Sequence, residues 1–185
     1  MKKIFLVFVL FTLSCDNEPI NVDVLISGGT IHDGSGTNGY IGNVAIKNDT
    51  IFYVGKNNNF LANQTIDATG KVVSPGFINM LSWGYNTLMQ DGRSLSDLKQ
   101  GVTLEVFGEG TSPGPKGSIR NNNYVSFGEA MEKLESSGVS TNIASYLGSA
   151  TVRIQEVGYG NRKATFEEMN SMKNIVRIAM EEGAM

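Results

Sequence analysis

The chain is poor in several residue types on which particular classes of protein depend. Its 185 residues include one cysteine, one histidine, one tryptophan and four prolines. A single cysteine excludes an internal disulfide framework, so stability must come from packing. The single histidine, His32, cannot build a zinc site alone, because such sites take three or four protein ligands. We expect His32 to lie on the surface, in a turn of an N-terminal β-segment.

The chain also has no excess of positive charge. Fifteen lysines and arginines stand against 18 aspartates and glutamates, which gives a net charge of -3, and the basic residues form no stripe. A nucleic-acid partner is therefore not expected, because such partners need a basic surface. The 41% hydrophobic and 18% charged content, with 22 glycines, is typical of a globular α/β protein.

The N-terminus has the composition of an export signal. Lys2 and Lys3 precede an apolar run over residues 4–11, which is too short to span a bilayer. Ser14 directly before Cys15 resembles the lipobox of bacterial lipoproteins, although Thr12 departs from the leucine preferred there. We predict a signal peptide over residues 1–15, lipidation of Cys15, a tether over 16–21 and an exported protein, anchored to the membrane and facing the periplasm or cell surface. An ordinary cleaved signal with a stray cysteine is the alternative.

Residues 22–75 have the patterning of an all-β segment. Short apolar runs over residues 24–26, 43–47, 50–54, 64–66 and 71–73 are separated by turn residues. Asn48 and Asp49 between two of these runs predict a hairpin.

After Pro75 the pattern changes to alternating strands and helices. Three helix starts are predicted where a hydroxyl residue precedes a carboxylate by three positions. These pairs are Ser94 with Asp97, Ser126 with Glu129 and Thr165 with Glu168, and the matching helix ends are Gly101, Gly138 and Gly183. The last helix, over residues 166–182, is predicted to bury Phe166, Met169, Met172, Ile175, Val176 and Ala179. With strands at 102–107 and 142–147, residues 76–185 predict a parallel sheet or barrel of about three βα units.

Several segments, in order, resemble the start of the amidohydrolase superfamily. They are residues 23–31, 43–47 and 66–78. Residues 101–103, 148–153 and 181–184 look like the N-acyl-D-amino-acid deacylase, or D-aminoacylase, branch. The resemblance implies an α/β fold in which the N-terminal part of a β-sandwich, residues 22–75, leads into the first βα units of a TIM-like (β/α)8 barrel, residues 76–185. Because a closed barrel takes roughly 250 residues, we expect an N-terminal fragment with a truncated barrel.

The resemblance also implies hydrolysis of a C–N amide bond in a small acylated amino acid, assisted by zinc. Such a metal lowers the pKa of bound water and polarises the substrate carbonyl. The ligand positions implied by the resemblance, however, fall on residues that do not suit a metal. These are Leu81 and Trp83 for a His-x-His pair, Gly110 for a cysteine and Ser149 for a histidine.

Four side chains remain as candidates for site residues. Glu109 is the one candidate metal ligand and is favoured over Glu105, which lies inside the preceding strand; a solvated loop glutamate or a helix-capping partner is the alternative. Arg153, Trp83 and Ser149 are candidates for substrate binding, with Arg153 pairing with a substrate carboxylate unless it forms a structural salt bridge. The glycine-rich loop over 108–115 belongs at the barrel mouth, and no Lys-Ser/Thr pair makes it a phosphate loop.

Two functions compete at this point. The first is an exported, metal-dependent hydrolase of non-peptide C–N bonds, similar to N-acyl-D-amino-acid deacylases, in which the 185-residue chain alone is inactive. The second is a catalytically silent amidohydrolase-fold protein that binds a ligand or partner at the cell surface.

Overall fold

The computed structural model describes residues 18–117 and 123–185, which form a mixed α/β structure as predicted. The predicted signal peptide and Cys15 lie outside the described residues, as does the start of the tether. The chain divides into two compact units, one ending at Pro75 and the other beginning at Gly76. Neither the sandwich nor the truncation of the barrel is tested by these units, and both stay predictions.

The first unit is a five-stranded mixed sheet. Its strands are β1 (Ile20–Ile31), β2 (Tyr40–Lys47), β3 (Thr50–Gly55), β4 (Phe60–Asp67) and β5 (Val72–Val73). The order is β3-β2-β1-β4, and β5 also pairs with β1. The β1–β2 and β2–β3 pairs are antiparallel, whereas β4 and β5 both run parallel to β1.

The predicted hairpin between β2 and β3 is confirmed. Asn48 adopts a left-handed φ of 53°, and its amide donates a 2.6 Å hydrogen bond to Oδ2 of Asp23 on the neighbouring strand β1. The sheet carries a small apolar core. This core consists of Val22, Leu25 and Ala45, with Tyr53, Phe60 and Ala62 packed against them.

In its described residues, 76–117 and 123–185, the second unit has a three-stranded parallel sheet and five helices. Its elements are β6 (Phe77–Asn79), α1 (Tyr85–Leu88), α2 (Leu95–Leu98), β7 (Val102–Phe107), α3 (Phe127–Ser136), β8 (Asn142–Ser145), α4 (Ser149–Glu156) and α5 (Phe166–Glu181). Strand β7 lies in the centre and pairs in parallel with β6 and β8, so the predicted parallel arrangement of the strands at 102 and 142 is confirmed. Helices α1 and α4 were not predicted from the sequence.

All three predicted helix starts are correct, but only two of the three hydroxyls cap their helix. Ser126 and Thr165 each form a complete capping box with the glutamate three residues later. Ser94 precedes α2 but makes no cap hydrogen bond and has a left-handed φ of 47°. The reason is that its hydroxyl donates instead to Glu105, at 2.6 Å. The three predicted glycine stops all have positive φ.

The predicted buried face of α5 is only partly correct. Ile175 and Ala179 are buried, and Ala179 packs with Phe127 of α3 and Ala184. Phe166, Met169 and Val176 are exposed, because the helix buries only a narrow stripe, Ile175 and Ala179, four residues apart. Among residues 18–117 and 123–185, no helix has both the length and the apolar character needed to cross a membrane.

Candidate functional site

A cavity of about 460 Å³ opens where β6 and β7 end. Its walls come from the segment after β6, the long loop after β7 and one side of α4. The lining residues are Ser82, Trp83, Tyr85, Asn86, Phe107–Gly117 without Gly114, Thr151, Ile154, Gln155 and Tyr159. The carboxyl ends of parallel strands are where barrel proteins and open α/β sheets place their binding sites. The position of the cavity therefore makes it the candidate site of this unit.

The loop after β7 is held firmly against the end of β8 and the start of α4. The amide of Ser112 donates to Oγ1 of Thr151 at 2.8 Å, and the carbonyl of Gly110 accepts from the amide of Ala150 at 3.2 Å. Gly108 has a φ of 89°, and a Cβ there would collide with the carbonyl oxygen of Tyr146. The loop therefore forms a fixed wall of the cavity.

The cavity wall is aromatic and carries one charge of each sign. Trp83, Tyr85 and Tyr159 line it beside the carboxylate of Glu109 and the ammonium of Lys116. The Nζ of Lys116 lies 4.9 Å from the centroid of the Tyr85 ring, which is a cation–π contact. Burial raises the pKa of Tyr85, so its phenol stays neutral at ordinary pH. The wall thus offers apolar surface together with opposite charges at its edge.

A buried carboxylate lies directly behind this wall. Glu105, in the central strand β7, is 2% exposed and accepts three hydroxyl hydrogen bonds. Ser82 donates to Oε2 at 2.7 Å, whereas Ser94 and Thr141 donate to Oε1 at 2.6 and 3.1 Å. From the sequence, Glu109 was preferred as a site residue over Glu105. A glutamate inside the otherwise apolar strand end Leu104–Phe107 was the signal that could have found it.

The structure brings two of the four candidate side chains of the sequence analysis to the cavity. Trp83 and Glu109 line it, and Glu109 is exposed. Ser149 is the exposed first residue of α4 and does not line the cavity. Arg153 donates from Nη2 to the carbonyls of Gly160 and Arg162, at 2.9 and 2.8 Å, and so braces the loop between α4 and α5. The predicted binding roles of these residues stay predictions. His32 is exposed, as expected.

The donors around the cavity do not fit a zinc ion. The positions at which the resemblance implies ligands carry Leu81, Trp83, Gly110 and Ser149, and none of these side chains is a usual zinc ligand. Both oxygens of Glu105 already accept hydroxyl hydrogen bonds. Within residues 18–117 and 123–185, no group of three or more His, Cys, Asp or Glu side chains could hold a metal. Glu109 therefore belongs to no such group among the described residues.

The fold and the site position together define the class of protein to which this chain is related. Its mixed α/β structure superposes on the crystal structure of D-aminoacylase that defines a subset of amidohydrolases. The TM-score is 0.77 at 28% identity, over 88% of this chain and 37% of that one. No protein-family model matches the chain.

Sequence comparison gives the same relationship. The chain is 29% identical over 186 residues to D-aminoacylase of Alcaligenes xylosoxydans xylosoxydans, and 25% identical over 182 residues to N-acyl-D-aspartate deacylase of the same organism. The matches cover 92% and 91% of this chain but only 37% and 36% of the relatives, so the chain spans little more than a third of their length. The chain is homologous to D-aminoacylase and the N-acyl-D-amino-acid deacylases.

The homologous structures include one devoted to metal chemistry. It concerns the binuclear metal centre of D-aminoacylase, in which one metal activates and the second attenuates, and it matches with a TM-score of 0.77 at 29% identity. That centre is a property of the relative, and the residues at the cavity of this chain do not reproduce a metal-binding donor set.

Proposed function

We propose that the cavity binds a small N-acylated amino acid or a related amide, in a protein that hydrolyses non-peptide C–N bonds as N-acyl-D-amino-acid deacylases do. The observation that carries the proposal is the position of the cavity at the carboxyl ends of parallel strands, in a chain homologous to these deacylases over nine-tenths of its length. Homology supports the class of reaction, and the cavity supports the binding of a small molecule.

The chemistry of the wall suits such a ligand. A cavity of about 460 Å³ lies within the range of roughly 300 to 1,000 Å³ common for small-molecule sites. Trp83 and Tyr159 offer apolar surface for an acyl chain, and the Lys116 ammonium is a point charge for a carboxylate. Glu109 would repel an anion, which favours a ligand whose carboxylate lies near Lys116 and whose acyl group lies elsewhere.

In this proposal residues 76–185 form the wall that holds the substrate, and their described side chains form no metal-binding group. Zinc, where the whole protein holds it, would activate water and polarise the carbonyl. The donors described above do not fit the ion, so the 185-residue chain alone is expected to bind a ligand without hydrolysing it.

A catalytically silent binding protein is the second candidate. The observation that favours it is that Leu81, Trp83, Gly110 and Ser149 occupy the positions where the resemblance implies metal ligands. The two candidates share the ligand cavity and differ only in the chemical step.

The decisive experiment titrates the purified chain with N-acetyl-D-amino acids, and separately with zinc, by calorimetry. We expect saturable binding of the acylated amino acid, weakened by Lys116→Met and less so by the matched variant Lys99→Met, which lies outside the cavity. An N-acetyl amine without the carboxylate should bind as weakly to the wild type as to Lys116→Met. Equal binding of the acid and the amine would overturn the role of Lys116.

The zinc titration tests the absence of a metal site among these residues. We expect no stoichiometric binding at submicromolar zinc, because a tight site needs at least three converging ligands. Stoichiometric binding that is lost in Glu109→Ala would show that Glu109 recruits partners, and it would favour the hydrolase over the silent protein.

We also propose that the protein is exported and anchored to the membrane through a lipid on Cys15. The basic start, the apolar run and Ser14-Cys15 support this proposal. Mass spectrometry of the mature N-terminus should find an acylated cysteine in the wild type and none in Cys15→Ser. An unmodified mature chain that begins at another residue would contradict the anchor.

A further inference from the structure

The Glu105 carboxylate is the most deeply buried ionisable group that the structure describes. A charged group in a protein interior is costly unless its hydrogen-bonding capacity is met. Here it is met by three hydroxyls that come from separate segments: Ser82 after β6, Ser94 before α2 and Thr141 before β8. The carboxylate therefore ties three parts of the chain to the central strand.

Of these three links, the one through Ser82 leads to the cavity. The backbone amide of Ser82 donates to the carbonyl of Val106 at 2.9 Å, which extends the pairing between β6 and β7. Its Oγ donates to Glu105 and accepts from the amide of Gly84 at 3.1 Å. Ser82 is thus fixed on both the backbone and the side chain. The next residue, Trp83, is 69% exposed and forms part of the cavity wall.

We propose that Glu105 is a positioning residue for the cavity, which holds the indole of Trp83 at the wall by anchoring Ser82. Glu105 does not itself line the cavity, so it acts through its neighbour. This inference rests on the proposed function only in taking the cavity as the ligand site. Its consequence is that the hydroxyl on Ser82 controls the orientation of Trp83 and, through it, the fit of an acyl group.

The two oxygens of Glu105 provide a matched pair of variants. Among the described residues, Oε2 accepts from Ser82 alone, whereas Oε1 accepts from both Ser94 and Thr141. Ser94→Ala therefore leaves Oε1 with a donor and leaves the Ser82 link intact. Ser82→Ala removes the one donor to Oε2 and also removes the acceptor of the Gly84 amide. Both variants delete one hydroxyl from the same buried cluster, but one of them alone touches the segment that carries Trp83.

Trp83 is the single tryptophan of the chain, so its fluorescence reports on this position without a label. In the absence of ligand, we expect Ser82→Ala to increase the amplitude of fast indole motion in the anisotropy decay about twofold, since the hydrogen-bonded anchor is lost. Glu105→Gln should raise it too, and Ser94→Ala should match the wild type. The double variant Ser82→Ala with Glu105→Gln should show no more motion than the larger single effect, because both act through one contact.

A conservative variant separates the hydroxyl from the shape of the side chain. Ser82→Thr keeps the hydroxyl, and we expect it to retain the wild-type anisotropy. If Ser82→Ala fails to fold, the anisotropy decay of Trp83 in Glu105→Gln tests the inference in its place. The inference would be overturned if Trp83 motion were unchanged in the variants at Ser82 and Glu105. It would also be overturned if Ser94→Ala raised that motion equally, because the cluster would then be a general part of the core. The reading needs no ligand, so a wild-type chain that fails to bind N-acyl amino acids would overturn the proposed function alone.

Discussion

The two units of the molecule bury different kinds of side chain. In residues 18–75 the buried side chains are apolar: Val22, Leu25, Ile31, Val44, Ala45 and Ala68. In the described part of residues 76–185 the buried set also includes polar groups: Ser82, Ser94, Glu105, Ser112, Thr141 and Ser145. Buried polar groups are costly unless they are paired. Two of these residues, Ser82 and Ser112, line the cavity, and Glu105 accepts from Ser82, so part of the set serves the candidate site as well as the fold. In the first unit, apolar side chains along the strands are sufficient to account for the buried set.

The largest expected effects compare one core residue from each unit. Leu134 is fully buried among Leu88 and Phe107, and Leu134→Ala should cost about 3 kcal/mol of unfolding free energy through lost transfer energy and a cavity. Val22→Ala in the first unit should cost about 2 kcal/mol, because fewer methyl groups are removed. The measurement is denaturant unfolding followed by Trp83 fluorescence and by amide exchange in β1 and β2.

We expect Leu134→Ala to lower the denaturant midpoint of the transition seen by Trp83 fluorescence. We expect Val22→Ala to lower the protection of the β1 and β2 amides against hydrogen exchange. If Val22→Ala lowered the Trp83 transition as strongly as Leu134→Ala does, the two units would unfold as one and the comparison would fail.

The next effect concerns the loop that forms the cavity wall. Gly108→Ala should cost about 2 kcal/mol, since alanine is strained at a φ of 89° and its Cβ would meet the Tyr146 carbonyl. Gly158→Ala is the matched control: its φ is 77°, but no atom lies within 4 Å of the added Cβ, so only the backbone strain of about 1 kcal/mol applies. Thermal unfolding measures both. Equal losses would show that the loop yields and that the wall is not fixed.

The extent to which the sequence predicted the fold follows from how local each signal is. The hairpin at Asn48 and the caps at Ser126 and Thr165 depend on residues within a few positions, and the structure has all of them. Ser94 carries the same local signal as the other two caps, yet its hydroxyl bonds to Glu105, eleven residues away. A contact from another strand overrides a local preference, and one sequence contains no record of that contact.

The candidate site was predictable to the same degree. Its place after β7 followed from the glycine-rich loop, and Trp83 and Glu109 do line the cavity. Arg153 was selected for its charge, but the structure uses its guanidinium to brace the backbone of residues 160 and 162. The Glu105 cluster was missed because its four members are spread over sixty residues and meet only in the folded unit.

A smaller effect is expected at the helix caps, which are local and remain outside the buried polar cluster. Ser126→Ala should cost about 1 kcal/mol, because the Glu129 amide loses its side-chain acceptor at the start of α3. Ser126→Asp, which can still cap, should restore most of the loss. Denaturant unfolding measures both variants. A loss in Ser126→Asp as large as in Ser126→Ala would mean that the serine acts through packing and not as a cap.

The smallest effect compares a half-buried carboxylate, Glu168, with the fully buried one at Glu105. Glu168 accepts from both terminal nitrogens of Arg162, at 2.6 and 2.7 Å, and from the Thr165 amide at 2.8 Å. The hydrogen bonds from Arg162, followed by that from the Thr165 amide, lower the pKa of Glu168 from 4.5 to about 2. Because the pKa is lower in the folded state, the stabilisation is complete above the unfolded pKa and is lost as the pH falls from about 5 to about 2. The difference in stability between wild type and Glu168→Gln, measured by denaturant unfolding at a series of pH values, should therefore shrink across that interval.

Glu167→Gln, in the same first turn of α5, is the control, and its free energy of unfolding should fall with pH as that of the wild type does. Trp83 anisotropy should stay constant in both variants, since neither touches the Glu105 cluster. A stability difference that does not change from pH 5 to pH 2 would show that the Arg162 pair adds nothing to folding. A change in Trp83 anisotropy would instead link this turn to the cavity wall. It would weaken the distinction between local surface contacts and the buried polar cluster.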